Sequence, residues 1–187
     1  VEHSVTKAFY DAGWRGINVE PLPAFHQEFL QQRPRDINLA VAAGSTDGSL
    51  TLYDIPLVNG WASPDPDVAE AHRAEGFEVS ELTVPVRTLA GICAEHVRAD
   101  IHFLKVDVEG YEAEVLRGMD FARFRPWIVV VEASAGQLED EMRLALSHAG
   151  VAPPRIESVR RLGGVLPSVE EIVAAVEAGV DDMEVAS

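Results

Sequence analysis

The run WIVVVEA, Trp127 to Ala133, constrains this chain more than any other feature. A strand that is almost wholly apolar must be buried on both faces, which happens in parallel sheets covered by helices. Other strand-like segments precede it: GINVE (Gly16 to Glu20), INLAVAA (Ile37 to Ala43), SLTLY after Gly48, VSELTVPV (Val79 to Val86) and IHFLKVDV (Ile101 to Val108). Helical patterns alternate with them. His3 or Ser4 opens a helix with Val5, Ala8, Phe9 and Ala12 on one face, and Gly13 closes it. Pro23 suits the first turn of a second helix, with Phe25, Phe29 and Leu30 facing inward. Leu89, Ile92, Cys93 and His96 share a face of a third, and a fourth runs through Glu112, Leu116 and Met119. This alternation predicts an α/β fold with a mostly parallel sheet and right-handed crossovers.

Three segments depart from that rhythm. Pro85 lacks a ladder donor, so Val79 to Val86 reads as an antiparallel or edge strand. Residues 54–78, rich in Pro, Gly, Asp and Ala, read as a long surface insertion with one helix near Val68 to Glu75. Beyond Ala133 the pattern predicts a helix over Leu138 to Ala149 and another from Ser168, where Ser168 and Glu171 form a capping box. The acidic last residues are expected to fray.

The 187 residues suit one domain, and a net charge of −16 disfavours nucleic-acid binding through phosphate neutralisation. No apolar run approaches the roughly 18 residues of a membrane span, and the N-terminus lacks a signal-peptide pattern. Cys93 is the only cysteine, so no internal disulfide forms. A reducing, cytoplasmic setting is expected, with Cys93 as a buried structural thiol. The six histidines show no metal-ligand spacing and read, like Trp61 and Trp127, as surface or packing groups.

Ligands of open parallel sheets bind beyond the carboxyl ends of the strands. Those ends hold Glu20 before Pro21, Ala42 with Ala43, Asp107 with Glu109, and Glu132. Glu20 has two readings, a solvated strand-end acid or an acceptor for both hydroxyls of a ribose. In dinucleotide sites such an acid falls about 20 residues after a glycine-rich loop, which from Glu20 reaches the start of this chain. None of the 14 glycines makes a GxGxxG pattern, so the loop and the strand before it are expected upstream of Val1. Lys105, Asp107 and Glu109 alternate and share a face if the strand extends that far. Unpaired charges are costly on a buried strand, so the reading is a mutual ion pair, structural or part of a polar site.

At this point Ser4 to Gly44, VPVRTLAGIC (Val84 to Cys93), IHFLKVDVEGYEAEVLRGMDF (Ile101 to Phe121) and RPWIVVVEA (Arg125 to Ala133) resemble the FkbM methyltransferases. The most specific parts are the VEPxP turn and the FLKVDVEGxE block followed by a VVVE strand. The likeness spans residues 3–133, so 1–133 reads as an N-terminally incomplete methyltransferase core and 134–187 as a helical or irregular extension. The resemblance implies a class I, Rossmann-like fold lacking its first strand. It implies methyl transfer from S-adenosylmethionine to a hydroxyl of a sugar, glycan or secondary metabolite. It places Glu20 with Pro21 at the cofactor ribose, Asn38 to Ala43 (with Ala42 and Ala43) along the adenine, and Ser4 near the methionine end. Lys105, Asp107 and Glu109 would line the reaction pocket, Asp107 as first choice of base, Glu109 as second, and Lys105 holding the carboxylate ionised. The chain departs from the family in lacking the glycine-containing first motif, in Ala90 where Asp is usual, and in the absence of a recognisable tail of strands after Ala133. Two rivals are a non-catalytic remnant of the fold and a nicotinamide-dependent oxidoreductase, the latter leaving the FLKVDVEG block unexplained.

Overall fold

The computed structural model describes residues 5–58, 61–98, 101–108, 110–124, 127–132, 135–148, 155–161 and 167–185. Helix α1 (Val5–Asp11) is followed by β1 (Ile17–Val19), α2 (Pro23–Gln32) and β2 (Ile37–Leu39). β1 and β2 pair in parallel, Ile17 beside Ile37 and Val19 beside Leu39. The chain then forms β3 (Ala42–Ala43), β4 (Gly48–Asp54), α3 (Pro66–Ala74) and β5 (Ser80–Arg87). These strands make a second sheet in the order β3-β5-β4. After α4 (Leu89–His96), α5 (Glu112–Arg117) and α6 (Phe121–Phe124) come β6 (Ile128–Glu132), α7 (Gln137–His148), β7 (Ile156–Arg160) and α8 (Val169–Val185). β6 and β7 pair in parallel over five residues.

The described residues therefore form an α/β structure of three small sheets rather than one continuous sheet. The expected strand Ile37 to Ala43 is split. Its first half follows β1 up to the bond from Glu20 N to Leu39 O, 3.0 Å. Beyond that point β1 gives way to Pro21, which has no N–H to offer, and the chain changes partner to Val86 and Arg87 of β5. The expected strand over Ile101 to Val108 is also corrected. Among the described residues only Leu104 forms a bridge, to Ile128, through Leu104 N and Trp127 O at 3.1 Å. Its apolar side chains are satisfied by packing instead: Leu104, Val106 and Val108 lie on the main core, and Phe103 lies against Phe9 and Trp14.

β5 is central in its sheet, not an edge, and is antiparallel to β4 as expected. Pro85 is tolerated because β3 pairs with Val86 and Arg87, leaving Pro85 a strand neighbour on one side alone among the described residues. Leu30 is 45% exposed rather than inward-facing, because Phe25 and Phe29 already take the inner face of α2. Strand β7 was not read from the sequence.

The main core holds Leu89, Cys93, Val115, Leu116, Ile128, Val130, Met142 and Leu146, which ties α4, α5, β6 and α7 together. Each aliphatic side chain of this kind contributes about 1.5–3 kcal/mol when fully buried. A second cluster packs Leu22 against Ala42, Leu52, Val84 and Val86 of the β3-β5-β4 sheet. In a third, Val176 and Val180 of α8 cover Trp127 and Phe9. The C-terminal third thus closes the back of β6 and brings α8 onto α1. Ser168 and Glu171 exchange both bonds of the capping box, Ser168 N to Glu171 Oε2 at 2.7 Å and Glu171 N to Ser168 Oγ at 3.3 Å. No helix among the described residues is long and apolar enough to cross a membrane.

Candidate functional site

β1 ends at Glu20, and the chain turns at once into Pro21 and the start of α2. Glu20 itself fastens this turn, its Oε1 accepting from Leu22 N at 2.8 Å. Oε2 has no hydrogen-bond partner among the described residues. Burial raises the Glu20 carboxyl above its ordinary range, and nearby Asp54 adds to this; the Leu22 amide and His26 act the other way. His26 Nε2 donates to the Asn38 carbonyl at 3.2 Å, which binds the first turn of α2 to β2.

The position of β1 depends on a buried polar network that sequence reading missed. Arg33 and Asp36 are only 3% and 9% exposed and pair at 2.6 Å. Asp36 also accepts from Gly16 N at 2.8 Å and Asn18 Nδ2 at 3.0 Å, and Arg33 donates to Thr6 Oγ1 at 2.6 Å. The guanidinium lies 5.4 Å from the ring centres of both Tyr10 and Phe29. Nothing in the local sequence RPRD, Arg33 to Asp36, reveals that two of its charges are buried.

The second half of the site follows Leu104. Lys105 Nζ donates to Asp107 Oδ2 at 2.7 Å. The ion pair forms as its alternation implied, but it is not a buried one: the side chains are 37% and 66% exposed, because the segment does not enter a ladder. Gly110 then takes φ 90°, a conformation open to glycine, and turns the chain into α5. Glu112 Oε1 accepts from Val108 N at 3.4 Å and Gly110 N at 3.3 Å, bracing the turn. Tyr111, also missed by sequence reading, is held there by Tyr111 N to Val108 O at 3.2 Å.

Between the β1-β2 unit, the end of β3 and residues 101–108 lies a cavity of about 650 Å³. That is within the usual range of small-molecule sites, about 300–1,000 Å³. Glu20, Pro21, Ala42, Ala43, Lys105 and Asp107 all line it, as do Asn18, Arg33 and Tyr111. Ser4 and Glu109 lie outside the described residues. Cys93 lines the same wall from α4; it is 8% exposed, and burial pushes its thiol up. Among the described residues no three His, Cys, Asp or Glu side chains come together as a metal site.

A cavity bordered by a strand-end acid on one side and a carboxylate–ammonium pair on the other can hold a polar molecule and handle a proton. No curated protein and no solved structure matches the chain. The family model of the methyltransferase FkbM domain matches residues 1–152, more than three quarters of the chain, and the chain therefore belongs to that family.

Proposed function

We propose that this chain is an S-adenosylmethionine-dependent O-methyltransferase with a Rossmann-like arrangement of its strands, acting on a hydroxyl of a sugar, glycan or secondary metabolite. The observation that carries this reading is the single cavity on which Glu20, Ala42, Ala43, Lys105 and Asp107 converge, in a member of a methyltransferase family. The residues fit the cofactor. At the end of β1, one Glu20 carboxylate oxygen has no hydrogen-bond partner among the described residues, which suits it to accept from ribose hydroxyls. Pro21 follows it in the turn, and the small side chains of Ala42 and Ala43 line the same cavity, which suits a flat base. Ser4 is assigned to the methionine end by resemblance.

The cofactor supplies an electrophilic methyl group on a sulfonium. The protein must align the acceptor oxygen with it and keep water out. Asp107 is the proposed base, within the cavity and open enough to meet an incoming hydroxyl. Lys105 Nζ, 2.7 Å from Asp107 Oδ2, holds the carboxylate in place. Glu109 is the second candidate. Titration of S-adenosylmethionine into the chain, and into a form extended upstream, tests the reading; absence of binding in both would defeat it. A second reading, a non-catalytic chain that keeps the fold, is motivated by the lack of a GxGxxG pattern. It requires cofactor binding to fail or to occur without methyl transfer.

A further inference from the structure

Tyr111 stands out among the aromatic groups of the cavity. Phe9 and Trp14 pack on each other, with ring centres 5.3 Å apart. Tyr10 is taken up by Arg33 and Arg35, whose guanidinium carbons lie 5.4 and 4.0 Å from its ring centre. Tyr111 lines the same cavity as Lys105 and Asp107, yet its hydroxyl has no hydrogen-bond partner among the described residues. The ring is not loose. It packs on the main core and lies over the end of β3, where a Cβ on Gly44 would be 3.9 Å from its Cε1. Its backbone is fixed on both sides, since Tyr111 O accepts from Glu114 N and Val115 N at 3.1 and 3.2 Å.

We propose that Tyr111 orients the acceptor, its ring packing against the carbon face of a sugar-like ring and its phenol hydrogen-bonding a hydroxyl beside the one that meets Asp107. A half-buried ring offers apolar area at low entropic cost, and a phenol hydroxyl lining the same cavity as a carboxylate suits a molecule with adjacent hydroxyls. The proposal rests on the methyltransferase reading and deepens it.

The test uses the full chain with Tyr111→Phe and Tyr111→Ala. Cofactor affinity is measured by calorimetry. The methyl α-glycosides of glucose, rhamnose and fucose serve as acceptors in a methyl-transfer assay, and their binding is read by saturation-transfer NMR with S-adenosylhomocysteine present. Tyr111→Phe keeps the core packing and loses one hydrogen bond. It should raise the acceptor KM by about 3- to 10-fold with kcat within about 2-fold and cofactor affinity unchanged. Tyr111→Ala should weaken acceptor binding further. Equal KM in Tyr111→Phe and the parent overturns the proposal, as does a change in cofactor affinity instead of acceptor KM. Intact cofactor binding with no glycoside bound or methylated also overturns it, while leaving the methyltransferase reading standing. Absence of cofactor binding in both the parent chain and its upstream-extended form defeats both.

Discussion

Lys105 Nζ meets Asp107 Oδ2 at 2.7 Å with both side chains still reaching solvent. This exposure separates two effects that a buried pair would confuse. Exposed ion pairs contribute about 0–1 kcal/mol, so Asp107→Asn should melt within a few degrees of the parent. Loss of a positioned base lowers rate by about 10²–10⁴-fold. Thermal melts and methyl-transfer kinetics on the same preparation check both halves. Full activity at saturating cofactor would remove Asp107 as the base and turn attention to Glu109.

Burial raises the Glu20 carboxyl, so the folded state holds its proton to higher pH than the unfolded chain does. Between those two values the folded state binds more protons, and stability falls as pH rises. Glu20→Gln retains an oxygen for the Leu22 amide and removes the titration. The variant should be the more stable protein at neutral pH, with its advantage shrinking as pH falls from the raised folded-state value towards about pH 4.3, the ordinary Glu value, and absent below it. Ribose hydroxyls that donate to the carboxylate favour its ionised form, so cofactor affinity in the parent should rise with pH through the same window. Denaturation midpoints of both proteins across pH, with cofactor titrations, decide the matter.

Asp36 is the residue whose loss should most damage the support of β1. It faces the buried Arg33 guanidinium at 2.6 Å and holds Gly16 and Asn18. Asp36→Ala leaves a buried cation without its partner, at a cost of about 3–5 kcal/mol. Urea denaturation should show that loss; a change below about 1 kcal/mol, the range of an exposed pair, would mean that Arg33 is solvated.

The architecture was partly legible in the sequence because periodicity and caps are local signals. The helix α3 inside the insertion, the capping box at Ser168 and the apolar β6 all follow from residues within a few positions of one another. Partner choice is not local. Nothing in INLAVAA marks Leu39 as the last residue beside β1, and nothing in IHFLKVDV shows that its alternation is satisfied by packing on the core without a ladder. For the same reason β7 escaped notice: IESVR carries three polar residues, and it is a strand because β6 lies beside it. At the site, Glu20 and Asp107 could be named from strand-end position and chemistry. Arg33, Asp36 and Tyr111 could not, since their surroundings come from distant segments.

Gly179 of α8 lies against the ring of Trp127, which is 2% exposed. A Cβ there would come within 1.9 Å of Cη2. Alanine is the better helix former by about 1 kcal/mol, but overpacking a rigid indole costs about 1–3 kcal/mol. Steric cost should win, and Gly179→Ala should lower the thermal midpoint. An unchanged or higher midpoint would show that α8 shifts away from Trp127 without penalty.

The central claim is that this cavity binds S-adenosylmethionine through Glu20, and calorimetric titration of the parent chain and Glu20→Ala tests it most directly. Charge-assisted hydrogen bonds are worth about 1.5–3 kcal/mol each, so the variant should bind roughly 10- to 150-fold more weakly. Equal affinity of the two proteins for the cofactor would contradict the account.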